Sequence, residues 1–407
     1  MTERPKLVDL SKDKDGDRIA VVCDGTVDYL PATRVDIGAT HKGASGSARY
    51  TRRAKNGDIY VTGPGLDHRM FRSSDNGRTW SSCRYTLDTS RFEPLRQSER
   101  DQGVWLGGFA ILQDDTFLMN LMPSNHLRNA VSFMARSTDY GAAWTVERLE
   151  VPLGRHLSCA AGNNDMIQLA NGTLLLTMGM WFYLENADEE KLPIEQQGVS
   201  DYCLRSTDGG RTWPEKYIDT RHGSEVHLLE LPSGKILAAI RKQRNVRLPG
   251  DPTDIEMVMR ANGYNPEYTG YSEPIDEGTA FFKHVALSES SDGGCTWVNE
   301  RRVTGYEQCS GELTLLADGQ TLVLQYDYRY HDRFAHSGVR ARVSYDLGET
   351  WEPEEYILGE GENYPGGIGT QDGGLITICP NHDPREEKGP IQAVHWWPRG
   401  HEGCFAR

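Results

Sequence analysis

The chain has 407 residues, so its length allows one large domain or two to three ordinary ones. Its composition, with 37% hydrophobic and 25% charged residues, is typical of a globular protein. A net charge of −15 disfavours nucleic acid and anionic membranes as partners, and no apolar run approaches the ~20 residues that a membrane-spanning helix needs.

The first ten residues, MTERPKLVDL, have no apolar core followed by a small-residue cleavage site. We therefore expect a cytoplasmic protein, or a secreted one if a leader has been removed. The eight cysteines are scattered without a CxxC pair, and the histidines show no metal-ligand spacing. The sequence thus predicts no metal ion and no cofactor.

An eight-residue pattern, S-x-D-x-G-x-[T/A]-W, occurs five times along the chain. The copies occupy Ser73 to Trp80, Ser137 to Trp144, Ser206 to Trp213, Ser290 to Trp297 and Ser344 to Trp351. The Asp carboxylate can accept backbone N–H groups across a hairpin turn, the Gly supplies a positive φ, and the Trp can pack under the turn. We therefore interpret the five Asp residues of this repeated turn as structural rather than catalytic.

A second repeat alternates with the first, because short apolar strands follow turn dipeptides six times. These dipeptides are Asn56-Gly57, Asp114-Asp115, Asn171-Gly172, Ser233-Gly234, Asp318-Gly319 and Asp372-Gly373. Six units leave roughly 68 residues for each, a size that suits a four-stranded propeller blade with its loops. The sequence therefore predicts an all-β chain that forms one domain over residues 1–407, a six-bladed β-propeller.

The sixth unit lacks the repeated turn. The segment Arg18 to Cys23, within a strand at about 17–24, is predicted to supply its missing outer strand and so to close the last blade. Insertions at 181–202 and 244–283 interrupt the third and fourth units, and long loops of this kind serve either binding or contacts at the rim. The oligomeric state stays open.

The innermost strand of each unit is expected just before its dipeptide, and the inner strands of a propeller converge at one end of its axis. Polar residues stand there where a plain strand would be apolar, which indicates a site. The stretches are Ser47-Ala48-Arg49, Asn163-Asn164-Asp165, Ser224-Glu225-Val226-His227, Ser310-Gly311-Glu312 and Asn363-Tyr364.

With five such turns, known as Asp boxes, on six units, the chain resembles the sialidase (neuraminidase) superfamily of six-bladed propellers. Two stretches carry the resemblance locally, SEVHLLELPSGKILAAIR at 224–241 and NYPGGIGTQDGGLITI at 363–378. The Arg-Ile-Pro motif of the family is absent, and Ser47 stands near its place. The resemblance implies an exo-acting glycoside hydrolase that releases a terminal acidic sugar, sialic acid or a related ulosonic acid.

The resemblance also implies roles for individual residues. Tyr364 is the expected nucleophile, because the carboxylate of a sialic acid would repel an ionised Asp or Glu, and Glu225 is expected to take its proton. Asp67 is the expected general acid and base, with Asp101 as the runner-up. Arg241 is expected to bind the substrate carboxylate.

Further arginines and histidines are candidates for substrate binding. Arg49 lies near the place of the missing motif, and Arg333 and Arg340 both suit a third arginine. His227 and His156 either line the pocket or lie in the core.

Two other functions stay open. A polysaccharide lyase or rhamnosidase-like propeller enzyme would use His156 and His227 with Tyr364 and an arginine. A non-catalytic glycan-binding propeller is favoured by the unclear identity of two of the three expected arginines.

Overall fold

The computed structural model describes residues 8–10, 17–39, 48–63, 69–87, 105–122, 132–150, 157–159, 165–182, 199–220, 223–242, 283–306, 308–328, 337–360, 364–380 and 390–401. Every regular element in these ranges is a β-strand, so the all-β prediction is confirmed for them. The same residues contain no helix that could cross a membrane.

The strands are numbered in chain order. The first ten are β1 (Arg18–Cys23), β2 (Thr26–Ala39), β3 (Tyr50–Arg53), β4 (Ile59–Thr62), β5 (Arg69–Ser73), β6 (Ser81–Arg84), β7 (Trp105–Ile111), β8 (Phe117–Met122), β9 (Ser132–Ser137) and β10 (Thr145–Leu149). The next nine are β11 (Leu157–Cys159), β12 (Met166–Gln168), β13 (Leu174–Phe182), β14 (Val199–Ser206), β15 (Glu215–Thr220), β16 (Gly223–Glu230), β17 (Ile236–Lys242), β18 (His284–Ser290) and β19 (Val298–Arg302). The last seven are β20 (Gln308–Leu315), β21 (Leu322–Tyr328), β22 (Gly338–Ser344), β23 (Glu355–Ile357), β24 (Gly366–Gly369), β25 (Leu375–Pro380) and β26 (Pro390–Trp396).

These strands pair antiparallel in consecutive runs, which we call units 1 to 6. The runs are β3 to β6, β7 to β10, β11 to β15 (with both β11 and β12 on β13), β16 to β19, β20 to β23, and β24-β25-β26-β2. Each of the six predicted dipeptides joins the first and second long strands of its unit. Each repeated turn joins the last two strands of its unit, in units 1 to 5.

The N-terminal closing strand differs from the prediction. Arg18–Cys23 is a strand, but it pairs with β2 and with β23 of unit 5. The strand that pairs with β26 is Thr26–Ala39, which continues from the same hairpin. Because the fourth strand of unit 6 comes from the opposite end of the chain, no hairpin joins it to the third, and the repeated turn has no place there.

The repeated turns share one set of hydrogen bonds. In the first, Ser73 Oγ donates to Asp75 and accepts from the Gly77 N–H at 2.8 Å, and Asp75 accepts from the backbone N–H and the hydroxyl of Thr79 at 2.8 and 2.6 Å. The Trp80 indole donates to the Gly77 carbonyl at 3.0 Å. The other four turns repeat the bond from a backbone N–H to the carboxylate, and the turns that end at Trp144, Trp213 and Trp297 also repeat the indole bond. The five Asp residues are therefore structural, as predicted.

Apolar clusters fill the spaces between consecutive units. Units 1 and 2, 2 and 3, 3 and 4, 4 and 5, and 5 and 6 each share such a cluster. A further cluster joins unit 6 to unit 1, where Ile376 and Ile378 meet Ile59 and Val61. All-β runs that pack side by side in this order fit a β-propeller.

Of the two predicted insertions, 181–202 begins and ends inside β13 and β14, and its middle lies outside the described residues. The insertion at 244–283 lies outside them except for its last residue, Lys283.

Candidate functional site

Tyr364, Glu225 and Arg241 meet in one cluster, which we call the Tyr–Glu–Arg cluster. The Tyr364 hydroxyl donates to Oε1 of Glu225 at 2.7 Å. Nη1 of Arg241 donates to the Tyr364 oxygen at 3.1 Å and also to Oε2 of Glu225. Residues that are far apart in sequence and belong to two different units thus lie together, as expected if the polar stretches of the inner strands converge.

A β-bulge places Glu225 in this cluster. The register of β16 against β17 shifts between Ser224 and His227, so one extra residue is accommodated there. Glu225 occupies the bulge with a φ of 56°, in the left-handed region. A bulge re-aims the side chain it carries, and here the carboxylate reaches Arg241 and Tyr364 instead of following the regular alternation of the strand.

Unit 5 repeats this local geometry with a different residue. The register of β20 shifts between Cys309 and Glu312, and Ser310 has a φ of 56°. The buried Ser310 hydroxyl donates to Oε2 of Glu225 at 3.4 Å. Glu225 therefore accepts from a phenol just before β24, a guanidinium of β17 and a hydroxyl of β20.

Two glycines that follow Tyr364 let unit 6 approach units 1 and 5 closely. A Cβ on Gly366 would lie 2.6 Å from the Arg49 carbonyl oxygen, and one on Gly367 would lie 2.0 Å from Oε1 of Gln325. Any larger residue would push β24 outward. These two glycines therefore set how close Tyr364 comes to Glu225.

Arg49 lies beside the cluster but does not present its side chain to a pocket. It is 1% exposed, its Nη2 donates to the Glu225 carbonyl at 3.1 Å, and its Nε lies 3.5 Å from Oε2 of Glu312. Burial lowers the pKa of Arg49, but Glu312, together with Tyr50, Asp165 and Glu225, outweighs this, and the net direction is upward. Its role in substrate binding stays a prediction; in the structure its nitrogens face Glu225 and Glu312.

His227 is likewise part of the core and not of the substrate surface. Its Nδ1 accepts the Leu313 N–H at 3.1 Å, so the ring proton lies on Nε2, which faces Glu312 at 2.8 Å and Asp165 at 3.4 Å. The side chain is 5% exposed. Of the two expectations for His227, the structure supports the satisfied core residue.

Asp165 completes this buried group. It accepts from Arg52 and from the Leu228 N–H, the latter at 2.9 Å. Burial raises the pKa of Asp165, but Arg52 and His227 outweigh it and hold the pKa below its ordinary value. We call Arg49, Arg52, Asp165, His227 and Glu312 the axial network; it draws on units 1, 3, 4 and 5.

Arg340 belongs to another buried group. It is 1% exposed, donates to Oε2 of Glu355 at 2.5 Å and stacks over the Tyr328 ring at 4.0 Å. Its role in substrate binding stays a prediction; in the structure the side chain faces Glu355 and Tyr328. Asp67, Asp101, His156 and Arg333 lie outside the described residues.

The cluster has the parts needed for nucleophilic chemistry. A phenol hydrogen-bonded to a carboxylate can pass its proton on as it attacks, and an adjacent guanidinium stabilises the phenolate. Within the described ranges, no group of three His, Cys, Asp or Glu side chains is arranged to hold a metal ion.

Comparison with known proteins relates the chain to others by fold. No protein-family model and no curated protein matches its sequence. A protein of unknown function from Dyadobacter fermentans aligns with a TM-score of 0.58 at 16% identity, over 91% of this chain and 100% of its own. An α-L-arabinofuranosidase from Fusarium graminearum, solved with an iminosugar inhibitor, aligns with a TM-score of 0.57 at 12% identity, over 88% and 96%.

A sialidase from Trypanosoma rangeli, solved as a covalent intermediate with 2,3-difluorosialic acid, aligns with a TM-score of 0.54 at 13% identity. The alignment covers 90% of this chain and 58% of that one, so this chain spans a little over half of that sialidase. At these identities the likeness concerns the fold. The chain therefore has a fold that glycoside hydrolases share.

Proposed function

We propose that the protein is an exo-acting, sialidase-like glycoside hydrolase that releases a terminal acidic sugar. The observation that carries the proposal is the Tyr–Glu–Arg cluster, in which a phenol lies 2.7 Å from a carboxylate and 3.1 Å from a guanidinium. A tyrosine nucleophile suits a sugar whose anomeric carbon bears a carboxylate, since a neutral phenol is not repelled by it.

The proposed reaction follows from these contacts. Tyr364 attacks the anomeric carbon while its proton passes to Glu225, and the leaving alcohol takes a proton from a general acid. Asp67 is our candidate for that acid. Water then displaces Tyr364 from the sugar and gives up a proton to the residue that had served as the general acid, while the Tyr364 phenolate regains its proton from Glu225.

Arg241 is the proposed anchor for the substrate carboxylate. Its Nη1 contacts Tyr364 and Glu225, and a guanidinium carries five donors in a fork that matches a carboxylate. The same side chain would then contact both the nucleophile and the substrate carboxylate and fix their relative position.

We further propose that units 1 to 6 are the blades of a closed six-bladed propeller. The supporting observation is that the apolar clusters follow the order of the units and that Ile376 of unit 6 packs against Phe71 of unit 1. The turn glycines agree with this, since a Cβ on Gly77 of unit 1 would also meet Ile376.

A second candidate is a neutral-sugar glycosidase in which Glu225 itself is the nucleophile. Two of the candidate arginines, Arg49 and Arg340, are engaged in buried ion pairs, which leaves Arg241 as the candidate arginine at the described cluster. The lyase alternative loses one of its two histidines, because both ring nitrogens of His227 are bonded inside the core.

Covalent trapping separates these proposals. The protein is incubated with 2,3-difluorosialic acid and, separately, with 2-fluoro-α-L-arabinofuranosyl fluoride, and peptides are analysed by mass spectrometry. An adduct of the first reagent on Tyr364 supports the sialidase-like enzyme, and an adduct of the second on Glu225 supports the neutral glycosidase. No adduct, together with no turnover of aryl glycosides, would favour a non-catalytic glycan-binding protein.

A further inference from the structure

A buried ion pair lies directly beneath the candidate base. Arg49 from unit 1 and Glu312 from unit 5 are each 1% exposed, and their side chains approach to 3.5 Å. His227 of unit 4 holds the other oxygen of Glu312 at 2.8 Å. The pair therefore links three units next to the bulge that carries Glu225.

Side chains from other units bind the backbone of this bulge and of a residue that follows it. Arg49 donates to the Glu225 carbonyl at 3.1 Å, and Thr177 donates to the Val226 carbonyl at 3.3 Å. Asp165 accepts the Leu228 N–H at 2.9 Å. Side chains of other units thus bind the backbone at and next to the point where the register of β16 shifts.

The backbone at Glu225 needs such support. Its φ of 56° is a conformation that residues other than glycine rarely adopt, and it persists only where the surroundings over-determine it. A buried ion pair is by itself weak evidence for stability, since well-packed apolar residues often serve as well. The Arg49–Glu312 pair would instead serve to fix one conformation of the Glu225 backbone.

We propose that Arg49, seated by Glu312 and His227, is a positioning residue that holds the Glu225 carboxylate in line with the Tyr364 hydroxyl. Arg49 acts through the Glu225 carbonyl and touches neither nucleophile nor substrate. The consequence for turnover rests on the proposed function, whereas the consequence for the Tyr364–Glu225 hydrogen bond does not.

The test uses a double variant, because Arg49→Met alone leaves Glu312 as a buried charge without its partner and can fail to fold. Glu312→Gln removes that charge and keeps an acceptor for His227. The combined Arg49→Met/Glu312→Gln chain is therefore expected to fold. Its matched control is Arg53→Met, which removes a half-buried arginine of the same strand whose bonds go to the Gly57 and Gly369 carbonyls.

The first readout needs no substrate. The proteins are labelled with 3-fluorotyrosine, the fluorine resonance of residue 364 is assigned from its loss in Tyr364→Phe, and its position is compared with that in Glu225→Ala. In the double variant we expect the resonance to move from the wild-type position to that of Glu225→Ala, and in Arg53→Met to stay. A folded double variant with the wild-type resonance would overturn the proposal.

The second readout is the division between kcat and KM on a substrate that the wild type cleaves. A misplaced carboxylate should lower kcat by about 100-fold and leave KM nearly unchanged. The Arg53→Met variant should keep the wild-type kcat. If the resonance moves but neither the wild type nor any variant turns over a glycoside, the positioning role stands and the proposed hydrolase does not. An unchanged kcat in the double variant would overturn the positioning role.

Discussion

The Tyr364 hydroxyl donates a 2.7 Å hydrogen bond to Oε1 of Glu225, across 139 residues of chain and from unit 6 to unit 4. The bond aligns the phenol with its hydrogen-bond acceptor. Arg241 contacts both groups through one nitrogen, Nη1. A preformed arrangement of this kind costs no reorganisation when the reaction begins.

Tyr364→Phe should abolish the nucleophile while leaving the fold intact, because one half-buried hydroxyl is removed. We expect kcat on an aryl sialoside to fall by at least about 1,000-fold. Tyr140→Phe is the matched control. Tyr140 is an exposed residue of a repeated turn, and the change removes a hydroxyl that donates to Asp115. Near-normal activity of Tyr364→Phe on a substrate of the wild type would contradict the assignment.

Glu225→Gln should lower kcat by a similar factor, because the phenol then has an amide oxygen beside it that cannot take its proton. The two residues act as one unit, so their effects should not add. The double variant Tyr364→Phe/Glu225→Gln should be about as slow as either single variant. A multiplicative loss would mean that the residues serve separate steps.

Much of the architecture could be predicted because it depends on local signals. The Asp and Gly of the repeated turn specify their own hydrogen bonds, as at Asp75 and Gly77, and such turns recur wherever the local sequence recurs. The closing strand was misplaced because β1, with the sequence RIAVVC, is the more apolar of the two strands of one hairpin. Which of them pairs with β26 depends on contacts more than 350 residues away in sequence.

The site was predictable in part for a related reason. Polar residues on inner strands pointed to Glu225, Glu312 and Tyr364, because such residues need partners when buried. The pattern could not tell which polar groups face a substrate and which face one another. Arg49 was expected to bind a sugar, and only the three-dimensional contacts assign it to the backbone of Glu225.

The carboxylates of the repeated turns should make the fold sensitive to acid. Hydrogen bonds from Thr296, first from its hydroxyl and then from its N–H, lower the pKa of Asp292 from 3.8 to about 2. A carboxyl whose pKa is lower in the folded state contributes stability that is present above its unfolded value and is lost as the pH falls toward 2. Asp292→Asn should remove this contribution.

We therefore expect Asp292→Asn to have a lower free energy of unfolding than the wild type at pH 6. The difference should be under about 1 kcal/mol, because the group is exposed, and it should narrow as the pH falls to about 3. Urea denaturation followed by tryptophan fluorescence measures it at each pH. A difference that stays constant over this range would show that the charge of Asp292 does not matter.

Gly77→Ala tests the contact between unit 1 and unit 6. Gly77 has a φ of 88°, and its Cβ would lie 2.1 Å from Cδ1 of Ile376. Gly57→Ala is the matched control, since its φ is 90° but no atom lies within 4 Å of the added carbon. Both changes strain the backbone, and only the first forces a buried side chain to move.

Gly77→Ala should therefore be less stable than Gly57→Ala by about 1 kcal/mol or more in chemical denaturation. Adding Ile376→Val, which removes the carbon in the way, should recover part of the loss. Equal stabilities of the two glycine variants would argue against the packing of unit 6 on unit 1, and with it against a closed ring.

The last prediction concerns the charge of the substrate. The protein carries a net charge of −15, so an anionic sugar binds only where the pocket is locally positive, and Arg241 is the arginine at the described cluster. A charge-assisted arginine–carboxylate pair contributes about 1.5–3 kcal/mol, which is roughly a 10- to 150-fold effect on affinity. Arg241→Ala should therefore reduce the preference for an acidic sugar by that factor.

The measured quantity is the ratio of kcat/KM for a sialoside to kcat/KM for the same sugar with its carboxylate replaced by an amide. A ratio is needed because Arg241 also contacts Tyr364 and Glu225, so its loss slows both substrates. Lys242→Met is the matched control, because it removes the neighbouring cation of β17, whose Nζ lies 2.8 Å from Glu300. That variant should keep the wild-type ratio. A wild-type ratio near one would mean that no arginine grips the carboxylate, and the neutral glycosidase with Glu225 as nucleophile would then be the better account of the cluster.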